Sequence, residues 1–294
     1  MKDLTLSIAQ MAPTLYDVPG NLAKITGFME EAASRGSDLL VIPEMGLTGY
    51  GIEDALQDPA RRAALAEETG LAIRRIRNES HRLNLDILVS FPFFSSERNY
   101  IAAEYISSGK KVVLHRKINL CNYAHYREHL HFDEGDTLTV ARTQRADFGI
   151  LVCEDLWHAV NGIVETLSGA EVLLIPSAPC VRDISSGRSS LGQWQMISRA
   201  TAFLQTSFLV MAARVGTEGK NNFLGGSHVV SPEGEIICEM PLFEETMAHV
   251  RLDGYMLEET REKRPLLRNE RASLYGRVFG ELGAAAEKGG QGEK

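Results

Sequence analysis

Short apolar runs rich in Val, Ile and Leu recur along the chain, at residues 4–11, 38–42, 86–94, 111–115, 149–153, 172–175 and 208–212. Runs of that length and composition predict buried strands. Between several of them, over 21–34, 59–83 and 190–204, apolar positions fall three and four apart, which predicts helices with one face against a sheet. Strand and helix alternate, so sheets covered by helices are expected. Two stretches break that alternation. Over 93–115 the strand-like runs are separated by polar breaks at 95–98 and at Ser108-Gly109, and over 226–240 the chain turns at Pro232-Glu233-Gly234. Both read as antiparallel hairpins. The sheets should therefore be mixed, and two helix-then-strand halves with hairpins fit a four-layer αββα sandwich better than a doubly wound parallel sheet. One domain over 1–282 is expected, followed by a small, Gly-rich, charged and flexible tail over 283–294.

Composition narrows the function classes. The 294 residues are 44% hydrophobic and 24% charged, ordinary for a globular chain with a substantial core. A net charge of −8 leaves no broad basic field, so neither nucleic acid nor an anionic membrane surface is an expected partner. The four cysteines, Cys121, Cys153, Cys180 and Cys238, are widely spaced, with no pairs or Cys/His clusters at zinc-ligand intervals. No disulfide framework, metal or other cofactor is expected. The N-terminus leads at once into a strand pattern, and no apolar run is long enough for a signal peptide or a membrane span. A reducing, cytoplasmic compartment is the expectation.

Three polar residues interrupt the ends of apolar runs. Cys153 closes Gly149-Ile150-Leu151-Val152, Glu44 follows Leu39-Leu40-Val41-Ile42-Pro43, and Lys117 follows Val112-Val113-Leu114-His115-Arg116. Each alone has an ordinary reading: a buried core cysteine, a helix cap or solvated glutamate, a solvated lysine. Together they supply a thiol nucleophile, a base, and a cation for negative charge. A free thiol is only slightly ionised at neutral pH and a nearby ammonium favours the thiolate. Glu44 alone would oppose ionisation, so the cation must be close.

Pro43-Glu44-Met45-Gly46-Leu47-Thr48-Gly49-Tyr50, His115-Arg116-Lys117-Ile118-Asn119-Leu120 and Val152-Cys153-Glu154-Asp155-Leu156-Trp157 resemble, in order and spacing, the three catalytic motifs of the nitrilase-like carbon–nitrogen hydrolase superfamily. Gln10, Asn21, Tyr126-Arg127-Glu128 through Gly135, Gly225-Gly226-Ser227, and Arg264-Pro265 through Tyr275 match further segments of it. The resemblance implies the αββα fold, paired into a homodimer or higher homo-oligomer. It also implies that Glu44 takes the proton of Cys153, that the thiolate attacks the substrate carbon, and that Lys117 and the backbone N–H of Glu154 stabilise the oxyanion. Glu128 would position Lys117 or hold substrate; its ordinary reading is a solvated loop glutamate. The chain departs from many relatives at Thr201-Ala202, after Arg199-Ala200, and at Ala212-Ala213, ahead of Arg214, which affects pocket detail rather than the catalytic set.

Within the superfamily, Leu47–Tyr50 with Glu53-Asp54, the Cys153–Trp157 segment and Gly225-Gly226-Ser227 with 241–245 resemble the glutaminase domain of glutamine-dependent NAD synthetases. No ATP-binding Gly-rich loop follows, so a stand-alone amidase acting on a small linear amide is the expectation. A nitrilase or N-carbamoyl amidase using the same residues is the alternative, and a catalytically silent binding scaffold the competing reading of another class. The loops over 123–131 and 180–193 are expected to supply the substrate's far-end contacts. Glu154, Trp157 and Tyr123 are the candidate substrate-binding residues, with His125, His129 and His158 as further candidates for the lining. A second copy is expected against the face near Trp194 and the segment 264–275.

Overall fold

A computed structural model describes residues 1–124 and 126–290, the last five of these as backbone only. The first sheet contains β1 (Leu4–Gln10), β2 (Leu39–Val41), β3 (Asp86–Phe94), β4 (Asn99–Ser107) and β5 (Lys110–Arg116), and is completed by β15 (Thr246–Leu252) beside β1. The second contains β6 (Val140–Arg142), β7 (Asp147–Ile150), β8 (Val172–Ser177), β10 (Phe208–Ala213), β13 (His228–Val230) and β14 (Ile236–Glu239). A small third sheet joins β9 (Cys180–Val181), β11 (Val215–Glu218) and β12 (Asn221–Leu224).

Each large sheet is mixed in the same way. β1, β2 and β3 are parallel, as are β7, β8 and β10, and the outer strands join antiparallel. The expected hairpins are present. Ser108 and Gly109 both take positive φ, 49° and 76°, the conformation a two-residue turn between twisted strands requires. The later hairpin joins β13 to β14, with Gly234 at φ 81° in its turn.

Helices α1 (Val18–Ser34), α2 (Glu53–Gln57) and α3 (Pro59–Leu83) belong to the first half, α4 (Ala159–Leu167) and α5 (Gly187–Gln205) to the second, and α6 (Gly254–Lys263), α7 (Leu266–Asn269) and α8 (Ala272–Gly290) follow. α1 begins before the expected residue 21 because Asp17 accepts the N–H of Gly20 and Pro19 sits in the first turn, both helix-start devices. Val18, Ile25, Met29 and Ala32 form its buried stripe.

The apolar runs are uninterrupted because the strands are covered on both faces. In β10, Phe208, Val210 and Ala212 enter the core between the sheets, whereas Leu209, Met211 and Ala213 pack outward with Trp194 and Ala202 of α5. β8 divides likewise, with Val172 and Leu174 inward and Leu173 and Ile175 outward. Removing side chains of this size from water contributes about 1.5–3 kcal/mol each, which fixes the register. The result is the expected four-layer αββα sandwich. α8 extends through residues 283–290, part of the segment expected as tail; Ala284, Ala285 and Ala286 have the highest intrinsic helix propensity. Residues 291–294 lie outside the described residues.

Candidate active site

β2 is parallel to β3, and two antiparallel pairings lead from β3 through β4 to β5. β2 and β5 therefore end at the same edge of the sheet, and Glu44 and Lys117 stand just beyond those ends. Met45 takes φ 55° and donates its N–H to Ser90 Oγ at 3.1 Å, which turns the chain sharply after Glu44. Asn21, fully buried on α1, donates to Leu47 O at 3.0 Å and pairs with the backbone of Thr14, fixing the same loop. Lys117 is anchored through its backbone: its N–H reaches Ile101 O at 2.8 Å and its carbonyl accepts from Gly135 at 2.7 Å. A Cβ at Gly135 would stand 2.1 Å from Arg116 O, so no side chain fits there. Cys153 opens a 3-10 turn over Cys153–Trp157 with φ 50°, a costly conformation for a residue with a Cβ.

These loops place the three side chains together. Lys117 is fully buried, and its Nζ donates to Glu44 Oε1 at 2.8 Å and to Glu128 Oε1 at 2.9 Å. The two carboxylates are not equivalent. Glu128 Oε1 also accepts the Tyr50 hydroxyl, and its Oε2 accepts the Cys121 N–H at 2.8 Å. Glu44 Oε2 is buried without a hydrogen-bond partner, and the Cys153 thiol lies close enough to bias its protonation.

Burial raises Glu44 above the ordinary carboxylate range, opposed by Lys117 and reinforced by Glu128. Burial works against the Lys117 ammonium, yet the charges of Glu128 and Glu44 outweigh it and hold the group well above its usual value. The Cys153 thiol is pushed well up, by burial first and then by Glu44, against the smaller opposing effects of Lys117 and a hydrogen bond from the Ala178 backbone. An ammonium beside the thiol was expected to favour the thiolate; here Lys117 is committed to two carboxylates, and its effect on the sulfur is outweighed by burial and by Glu44.

A cavity of about 490 Å³ opens over Cys153. Tyr123, Glu154 and Trp157 all line it. The Tyr123 hydroxyl donates to Glu154 Oε2 at 2.9 Å, and Trp157 meets Trp194 edge-on with ring centroids 5.3 Å apart. His158 also lines the cavity, His129 is exposed and bonded to Asn122, and His125 lies outside the described residues. Trp194, near which a second copy was expected, is only 6% exposed and lines the cavity. Residues of both expected loops line it, including Tyr126, Cys180 and Gln193.

Two roles were not legible in the sequence. Tyr50 supports Glu128, and its own N–H is held by Glu218, which is paired with the fully buried Arg214. The place of Tyr50 in the motif after Glu44 was the available signal. Asp155, two positions beyond Cys153, is fully buried and accepts from three backbone N–H groups. Among the described residues no disulfide is formed, no cluster of His, Cys, Asp and Glu could hold a metal ion and no helix is long and apolar enough to cross a membrane.

A family model described as carbon–nitrogen hydrolase matches residues 5–262. A glutamine-dependent NAD(+) synthetase of Thermotoga maritima is 32% identical over 86% of the chain, which spans only 42% of that protein's length. An N-carbamoylputrescine amidase of Arabidopsis thaliana is 26% identical, with 88% of the chain and 90% of that enzyme covered. Among solved structures, a mutant of the amidase from Nesterenkonia sp. AN1, showing covalent addition of the acetamide moiety of fluoroacetamide at the active site cysteine, superposes with a TM-score of 0.78 at 23% identity, covering 93% of this chain and 96% of that one.

Proposed function

The chain belongs to the carbon–nitrogen hydrolase family, and from that premise we propose that it cleaves a small linear amide through a thioester on Cys153. One observation carries the reading: of the two buried carboxylates that share the Lys117 ammonium, Glu128 is saturated by donors, whereas Glu44 keeps Oε2 without a hydrogen-bond partner and its carboxyl interacts with the Cys153 thiol. A saturated carboxylate positions; a free one with a raised affinity for protons can act as a base.

Glu44 Oε2 takes the thiol proton as Cys153 Sγ attacks the carbonyl carbon. Moving the proton from sulfur to Glu44 leaves the net charge of the cluster unchanged, so no bare thiolate has to be buried first. Negative charge passes to the substrate oxygen, where Lys117 and the Glu154 N–H stabilise it. Protonated Glu44 returns the proton to the departing nitrogen, and ammonia or amine leaves. Glu44 then deprotonates the water that attacks the thioester, and the carboxylic acid departs with the thiol restored.

The cavity favours one class of far end. Among its described lining residues there is no Lys or Arg, whereas Glu154 presents a carboxylate that accepts the Tyr123 hydroxyl and lies 3.7 Å from His158 Nε2, with Trp157 on the same wall. An amine-bearing amide or carbamoyl compound finds a counter-charge and aromatic faces there; a substrate ending in a carboxylate finds like charge. The nearly end-to-end match with an N-carbamoylputrescine amidase supports including carbamoyl amines beside simple amides.

Ammonia release from a panel of amides, carbamoyl amines and nitriles tests the proposal. Amine-ended amides or carbamoyl compounds should be turned over faster than carboxylate-ended ones, and Cys153→Ala should fold and lose turnover. Activity in the alanine variant beyond a trace would remove Cys153 as nucleophile.

A further inference from the structure

Neither the proton transfer nor the oxyanion contact uses Asp155, yet this side chain is bonded to both segments that the chemistry must hold in register. Its Oδ1 accepts the N–H groups of Ile118, at 3.0 Å, and Asn119, at 2.7 Å, the two residues that follow Lys117. Its Oδ2 accepts the N–H of Val152 at 2.9 Å, the residue that precedes Cys153. The fourth contact is His115 Nε2, 3.0 Å from Oδ2, on the strand that delivers Lys117. A carboxylate only accepts, so His115 carries a proton on Nε2, and its Nδ1 lies 3.1 Å from the Thr139 hydroxyl. Both Asp155 and His115 are fully buried.

A second tie runs through Asn161, whose amide donates to Asp155 O at 2.9 Å and to Asn119 Oδ1 at 2.7 Å. The strand carrying Lys117 lies in one sheet and the strand leading to Cys153 in the other. No backbone ladder joins those strands, so their relative placement depends on such cross-sheet contacts.

We infer that Asp155, oriented by His115, is a positioning residue that sets the separation of the Cys153 thiol from the Lys117 ammonium. The inference rests on the proposed roles of those two groups and adds what fixes their geometry. Asp155 acts through the loops and contacts no reacting atom. A displacement of about 1 Å between reacting groups can cost on the order of a hundredfold in rate. A four-bond carboxylate with no solvent access can hold such a tolerance.

Asp155→Asn tests it. The amide keeps an acceptor for Ile118 and Asn119 but turns an NH₂ toward both the N–H of Val152 and His115 Nε2, so the ties to the cysteine segment and to His115 fail together while those to the two residues after Lys117 remain. Folded Asp155→Asn should lose kcat by on the order of a hundredfold with KM changed less than about threefold, and iodoacetamide should alkylate its Cys153 at least about tenfold more slowly than wild type at neutral pH. Loss of thermal stability with wild-type kcat and wild-type alkylation would reduce Asp155 to a structural role and overturn the inference. Should the asparagine variant not fold, His115→Gln leaves the three backbone bonds in place: lowered kcat at constant KM supports the inference, and wild-type kcat contradicts it. The alkylation comparison needs no substrate, so it decides this point even if wild type releases ammonia from none of the amides tried.

Discussion

At the scale of single residues, the division between Glu44 and Glu128 shows what hydrogen-bond accounting adds to a motif. Both acids, Lys117 and the cysteine were legible as interruptions of apolar runs or as members of a resemblance; which acid keeps a free oxygen was not, because the donors to Glu128 come from Tyr50 and Cys121, far apart in the chain. Another buried acid, Glu165, lies outside the site. Glu165 on α4 accepts the Thr139 N–H at 2.9 Å with Oε1, and its Oε2 is buried without a partner. Burial raises it to about 8, opposed by the Thr139 N–H and reinforced by Asp155. The folded chain therefore keeps this proton at pH values where the unfolded chain releases it, so the associated stability is full below the ordinary carboxylate range and is lost as pH rises towards about 8. Glu165→Gln mimics the protonated acid at every pH. Thermal unfolding should give similar midpoints for the two proteins at pH 5, with the glutamine variant pulling ahead by several degrees at pH 9; a difference that stays constant across that range would contradict the burial effect.

Among the elements, those with strong periodicity were legible and those defined by pairing were not. β3, β8 and β10 announce themselves because both faces are apolar, and the hairpin turns because Ser108-Gly109 and Pro232-Glu233-Gly234 carry turn chemistry. β9 is two residues long, and β15, Thr246–Leu252, is mostly half-buried along an edge; neither has an apolar signature that sequence reading could separate from a loop. Cys153 was expected to close a strand, whereas β7 ends at Ile150 and the cysteine begins a tight turn. The apolar run continues past the strand because Leu151 and Val152 are themselves fully buried, so hydrophobicity marks the core and not the end of pairing. In α8 the helix continues through residues 283–290, where glycine content hid any helical periodicity and the alanine triplet between the glycines favours helix.

For the whole molecule, the unpaired surfaces bear on assembly. α8 exposes Tyr275, Val278, Phe279 and Leu282, positions three and four apart on one face, and α5 exposes Met196, Phe203 and Leu204. These lie near the face and segment where a second copy was expected, although Trp194 itself is turned into the cavity. A homodimer or larger assembly is proposed, and sedimentation should show it at micromolar concentration; monomer alone would count against it. The catalytic proposal has a more direct test. Glu44 is assigned to both halves of the cycle, so Glu44→Gln should stall after any acylation that occurs and leave the acyl group on sulfur. Intact-protein mass spectrometry with peptide mapping, after incubating Glu44→Gln with an amide that wild type hydrolyses, should show one acyl group on Cys153 and none on Cys121, Cys180 or Cys238. Wild-type turnover by that variant, or an acyl group on any other residue, would contradict the account.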